Sequence, residues 1–273
     1  MAQVGDVAEG PGWRLVCGRW QDALADVETC DAVITDPPYS ERTHSGHNSV
    51  PERVAGPGSN EKRLKLGLGP ARRSINYDAW TSEDVSEFVT RWGIASRGWM
   101  VCQTSHDLVQ DYAEAMEAAG RYAFHPIPAV IIGMTVRLGG DGPSSWSVYN
   151  VVSRTKSREM QRWGTLPGAY VGGRGEAAGD MVVAGGKPLW LMRAIIRDYT
   201  RPGDLVVDPC AGGGTTLLAA VMEGRRAIGA EMDPDTFGKA VKRLRRGYTP
   251  DLFATVEDDQ PAAQQVDMFG GEA

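Results

Sequence analysis

Residues 204–231, DLVVDPCAGGGTTLLAAVMEGRRAIGAE, decide the fold class. DLVVD is a short apolar run bounded by turn residues and reads as a buried strand. After Gly212, Gly213 and Gly214, the stretch GTTLLAAVMEG reads as a helix closed by Gly224, and RRAIGAE reads as a second strand. Strand, helix and strand in so short a span form a βαβ unit, whose strands must be parallel. On either side the pattern continues, with helices over KPLWLMRAIIRDYT (187–200, Pro188 near its first turn) and DPDTFGKAVKRLRRG (233–247).

Further upstream, strands are expected at WRLVCG (13–18), DAVIT (31–35), GWMVCQT (98–104), YAFHPIPAVII (122–132) and WSVYNVVSR (146–154). Helices are expected at 20–28, at 81–97 behind a capping-box pattern from Thr81 to Asp84, and at 106–120, where Gly120 stops the last. Alternating strands and helices imply a mostly parallel sheet covered on both faces, an α/β fold. Residues 1–11 read as disordered, 12–248 as one domain, and 249–273 as an acidic disordered tail. Residues 40–76 read as a long mobile loop, and 155–186 lack periodicity.

With 42% hydrophobic and 23% charged residues, the composition is that of an ordinary globular chain. No apolar run reaches the length of a membrane span, and MAQVGDVAEGPG lacks the basic-then-apolar pattern of a signal peptide. The four cysteines are scattered, so a cytoplasmic chain with no cysteine-based metal site is expected. The net charge of −6 resides in the tail, where six acids and no base follow residue 250. The body that remains is neutral and holds two basic segments, 42–75 and 154–174. Both suit phosphates, although solvated loops would read the same way.

The glycine turn lets backbone approach a ligand and aims helix N-terminal amides at it. It is no phosphate loop, because no lysine follows Gly214 in the required spacing. Glu231 ends the second strand, where an acid can accept hydrogen bonds from both ribose hydroxyls. Asp208 at the first strand tip could hold a ligand ammonium. Together these features describe a pocket for a nucleoside carrying an amino-acid arm.

DPPY (36–39) after a strand, with DPCAGGGTT (208–216) and GAEMDP (229–234) later in the chain, resembles the beta class of S-adenosylmethionine-dependent DNA amino methyltransferases. The resemblance implies a Rossmann-like methyltransferase fold: a mostly parallel seven-stranded sheet, helices on both faces and one antiparallel edge strand. It implies S-adenosylmethionine as cofactor, held by Asp208, Pro209, Cys210, Ala211, Gly212, Gly214, Thr215, Thr216, Glu231 and Met232, with Lys187 of the K-P motif bordering the methionine end. The catalytic residues implied are Asp36, Pro37, Pro38 and Tyr39. Asp36 and the Pro37 carbonyl would each accept a hydrogen from an exocyclic amine, aiming its lone pair at the sulfonium methyl. Tyr39 would stack on a base extruded from the duplex. Where the family usually has an acid after the first strand, this chain has Arg19, and AGGKP departs from the usual motif before Lys187.

An aspartate in DPPY goes mostly with adenine N6; cytosine N4, an RNA amine, or a catalytically lapsed adaptor that holds DNA or the clamp are the alternatives. DNA contacts are expected from Arg42, His44, Arg63, Lys65, Arg137, Arg154 and Arg158, with Trp146 a further candidate. Residues 134–180 are read as a small target-recognition region. The peptide QVDMF (265–269), with Gln265, Met268 and Phe269, looks like the peptides that dock onto the bacterial sliding clamp. Expected partners are therefore DNA and the clamp, a homodimer remains open, and no membrane is involved. The expected setting is DNA methylation or restriction-modification in a prokaryotic or phage-infected cell.

Overall fold

The computed structural model describes residues 2–43, 78–132, 146–173, 182–183 and 185–247. Most of the 40–76 loop, much of 134–180 and the tail from 249 lie outside them, and with them His44, Arg63, Lys65, Arg137, Gln265, Met268 and Phe269.

In chain order the described strands are β1 (Val7–Gly10), β2 (Trp13–Cys17), β3 (Ala32–Thr35), β4 (Trp99–Thr104), β5 (Tyr122–Ala123), β6 (Ile127–Ile132), β7 (Trp146–Arg154), β8 (Tyr170–Gly173), β9 (Leu205–Asp208) and β10 (Arg226–Glu231). The helices are α1 (Trp20–Ala23), α2 (Ser82–Ala95), α3 (Val109–Ala118), α4 (Leu189–Tyr199), α5 (Thr215–Met222) and α6 (Pro234–Arg246). One sheet takes all the strands in the order β1-β2-β10-β9-β3-β4-β7-β6-β8, with β5 beside β7. From β2 to β4 every neighbour is parallel.

Alternate residues of the central strands enter two cores. Ala32, Ile34, Val101 and Val206 face α4, α5 and α6, while Val33, Met100, Cys102 and Val207 face α1, α2 and α3. Helices thus cover both faces, as the apolar strands demand. The capping box at the start of α2 is formed, Asp84 accepting from the Thr81 amide at 2.9 Å. Gly229 has no side chain because a Cβ there would lie 2.9 Å from Leu217 of α5.

The α/β class agrees with the sequence, but the sheet is wider than seven strands. Residues 7–10, read as disordered, pair antiparallel with β2 across the turn at Gly12, whose φ is +79°. Pairing with an open edge, rather than apolar content, makes this strand. The run 122–132 breaks before Ile127, and Pro128 sits opposite Tyr149 of β7, one residue ahead of the ladder that β6 makes with β8. β8 itself arises in a stretch without periodicity. Two strands run against the rest: β1, at one edge as expected, and β7, which is interior, flanked by β4 and β6.

The guanidinium of Arg121 is a buried clip. It donates to the carbonyls of Gly93, Ser96, Gly98 and Ser153 and to the Ser153 hydroxyl, at 2.6–3.3 Å. Together these bonds join the end of α2, the approach to β4, and β7.

Candidate active site

β3 and β9 are neighbours, yet their connections leave in opposite directions, β3 toward β4 and β9 toward β10. This is the switch point of an open parallel sheet, where a crevice opens beyond the carboxyl ends of the strands. DPPY leaves β3 and the glycine turn leaves β9 at that rim. Thr35 Oγ1 donates to Asp208 Oδ1 at 2.7 Å, and the Cys210 amide donates to the same oxygen at 3.1 Å. Asp208 is 2% exposed; burial pushes its carboxyl up to about 6, against the pull of the Thr216 and Thr35 hydroxyls and the Cys210 amide. Its carboxylate therefore bolts one turn to the other. Thr35→Val should cost about 1–2 kcal/mol in urea unfolding, with Thr35→Ser recovering most of it, because the buried acceptor loses a donor.

The DPPY turn is tied down on further sides. The Trp80 amide donates to the Tyr39 carbonyl at 3.0 Å, and the Ser40 hydroxyl donates to Asp107 beyond β4. Asp36 Oδ1 accepts from the Tyr39 hydroxyl at 2.9 Å, and Asp36 Oδ2 accepts from Lys187 Nζ. Lys187 is 4% exposed; its ammonium also donates to the Gly185 carbonyl at 3.3 Å and lies 5.1 Å from the centre of the Tyr39 ring.

In the glycine turn, Gly214 has a φ of +73° and caps α5. Arg243 of α6 reaches across to donate to the Gly213 carbonyl at 3.3 Å and to Thr215 Oγ1 at 2.7 Å. At the end of β10, Glu231 Oε1 accepts from the Asp233 amide at 2.8 Å, and the Glu231 carbonyl accepts from the Gly18 amide at 2.9 Å. Burial, and then the charge of Asp233, push the Glu231 carboxyl up to about 7.

A cavity of about 650 Å³ joins these parts, running from Asp36 and Lys187 past the turn at 208–213 to Glu231 and Met232. Of the expected site residues, Asp36, Pro38, Lys187, Asp208, Pro209, Cys210, Ala211, Gly212, Thr215, Thr216, Glu231 and Met232 line it. Gly214 shapes the turn while Gly213 faces the cavity, and Pro37 is buried beside it. Arg19 and Trp20 line the wall where the family usually has an acid. Sequence reading missed Trp20, Trp80 and the α2 acids Asp84 and Glu87, which the fold alone brings here. It also missed Arg243.

Among the expected DNA contacts, Arg42 is exposed just past the DPPY turn. Arg154 and Arg158 are not brought to the site. Because β7 runs backward, Arg154 pairs with Trp99 at the start of β4, on the opposite rim, and Arg158 follows it. There the Arg154 guanidinium lies 5.0 Å from the Tyr122 ring centre and 5.6 Å from that of Phe124. The backbone of Trp146, at the other end of β7, stands on the rim that carries the site.

Residues 146–242 match the DNA methylase family model N6_N4_Mtase, a segment that includes the glycine turn and ends before the tail. A putative methylase of Escherichia coli, YubD, is 44% identical over 87 residues, 32% of this chain and 35% of its own. The type II methyltransferase M.HindIII of Haemophilus influenzae is 47% identical over 58 residues, 21% of this chain and 19% of its own. These alignments span about a third or less of each relative's length. The crystal structure of the M1.HpyAVI–SAM complex superposes with a TM-score of 0.57 at 21% identity, covering 85% of this chain and 98% of that one. The cytosine-N4-specific PvuII DNA methyltransferase gives 0.54 at 15% identity over 90% of this chain and 92% of its own. Residues 146–242 are thus similar to the N6/N4 DNA methylases, and the chain shares its fold with solved DNA methyltransferases.

Proposed function

We propose that the chain transfers a methyl group from S-adenosylmethionine to an exocyclic amine of a flipped-out DNA base, adenine N6. One observation carries this reading. DPPY and the glycine turn, far apart in sequence, meet at one switch point, bolted by the Thr35–Asp208 hydrogen bond at the head of a single cavity.

The residues present fit the cofactor. A volume of about 650 Å³ lies within the range of small-molecule sites. Gly212 has a φ of +51° and open space where a Cβ would be, so backbone can approach a ligand there. Glu231 would take the ribose hydroxyls and the turn at 210–213 the amino-acid arm. When bound, the cofactor supplies an electrophilic methyl. Asp36 accepts one amine hydrogen and the Pro37 carbonyl the other, drawing the nitrogen toward a tetrahedral geometry. The Tyr39 hydroxyl fixes the Asp36 carboxylate, and the Tyr39 ring offers the base a face. The aspartate in DPPY supports adenine, as does the similarity to YhdJ of Escherichia coli, named a DNA adenine methyltransferase, 40% identical over 58 residues.

The test is transfer of labelled methyl to unmethylated genomic DNA, followed by nucleoside mass spectrometry. N6-methyl-2′-deoxyadenosine is expected. N4-methylcytosine would overturn the base and keep the chemistry, and no product on DNA or RNA would overturn the reading.

Glu231 adds a pH dependence. Ribose hydroxyls donate to the ionised carboxylate, and the folded protein holds the Glu231 proton up to about 7. Cofactor affinity should therefore fall as pH drops from about 8 to about 6, approaching tenfold per unit, and Glu231→Gln should flatten the profile in calorimetric titrations. In the ligand-free protein the sign is opposite. The folded state keeps a proton that the unfolded state gives up above 4.5, so stability declines as pH rises from 4.5 toward about 7.

A further inference from the structure

Lys187 makes the two contacts that the reading above gives to the target base. Its ammonium donates to the Asp36 carboxylate, and it lies 5.1 Å from the centre of the Tyr39 ring. A cation is thus resident where an amine hydrogen and a base must later be. It sits at the base-side end of the same cavity whose other end is Glu231. Its chain position is fixed: Pro188 caps α4 immediately after it, and α4 is seated in the core through Leu191, Ile195 and Ile196.

We propose that Lys187 is a placeholder for the target amine. It occupies Asp36 and Tyr39 while the cavity lacks cofactor, and it leaves them when the carboxylate of the cofactor's amino-acid arm takes its ammonium. The inference rests on the proposed function and adds an order to it: cofactor first, base second. A buried ammonium needs a carboxylate partner, and stranding it is costly. Exchanging one carboxylate for another keeps it paired throughout, so a ligand with a differential contact can drive the exchange. Asp36 is then released at the moment the methyl donor is in place.

The sign of one variant separates this from simple electrostatics. Without a placeholder, Asp36→Asn removes a negative charge near a cationic methyl donor, and cofactor binding weakens or stays the same. With it, Asp36→Asn leaves Lys187 waiting for a carboxylate, and binding tightens.

The experiment is calorimetric titration of the full chain with S-adenosylmethionine and with 5′-methylthioadenosine, which lacks the amino-acid arm. Wild type, Asp36→Asn, Lys187→Met and the double variant form a cycle. For S-adenosylmethionine, Asp36→Asn should tighten binding about fivefold or more, and the gain should vanish in the Lys187→Met background. For 5′-methylthioadenosine it should be absent throughout. Equal or weaker binding by Asp36→Asn, or tightening that survives Lys187→Met, overturns the placeholder. No binding of either ligand to wild type overturns the proposed function instead. Asp36→Ser serves the same cycle if the Asn variant does not fold.

Discussion

Asp36→Ala is expected to lower methyl transfer to DNA by about two to three orders of magnitude, the effect of deleting one preorganised contact to a reacting group. The side chain lies at the tip of β3, held by the Tyr39 hydroxyl on one oxygen and Lys187 on the other, so its position is set before any substrate arrives. Alanine removes the acceptor and frees both neighbours. Asp36→Asn keeps a carbonyl oxygen in place and should lose less. The measurement is initial rate at saturating cofactor, with thermal unfolding run alongside, because stranding the Lys187 ammonium also costs stability. A rate within about threefold of wild type in a folded Asp36→Ala protein would remove Asp36 from the reaction.

Arg121→Met should produce the largest loss of stability among single substitutions away from the cavity. The side chain is 2% exposed and its donors satisfy four backbone carbonyls and one hydroxyl. Methionine fills much of the volume but donates nothing, so these acceptors lose their charged donor, and the Gly98 carbonyl keeps only the Thr155 amide at 3.3 Å. We expect a cost of at least about 3 kcal/mol in urea unfolding, since hydrogen bonds to a charged group contribute about 1.5–3 kcal/mol each. Arg121→Lys should rescue only part of it, because one ammonium cannot reproduce the planar fork. A cost below about 1 kcal/mol would mean that the clip is dispensable.

What the sequence made legible was local. The strand–turn–helix–strand run of 204–231 and the stiff DPPY turn could be read because apolar runs, glycines and prolines constrain their own neighbourhood. Glu231 could be placed because a strand end is a local property. The links that build the site join positions far apart: Thr35 with Asp208, Asp36 with Lys187, and Arg243 with the glycine turn. No periodicity encodes them. Arg154 misled for a related reason. Its charge is visible in the sequence, but the direction of β7, which carries it to the opposite rim, depends on pairing with β4 and β6. The hairpin at Val7–Gly10 was hidden because its ladder partner, not its composition, creates it.

The strand order also sets a timetable for synthesis. β2 and β3 emerge early from the ribosome, yet in the sheet they stand two strands apart, and the gap belongs to β10 and β9. Until residues 205–231 are made, both early strands present open, apolar edges, the kind of surface that invites pairing with other chains. Completion requires the late βαβ unit to insert between strands already present, a non-local step of the slow kind. The Thr35–Asp208 bolt closes with that insertion, so the proposed site is completed only with the later strands, and a nascent chain stopped before residue 205 carries DPPY without the glycine turn that faces it.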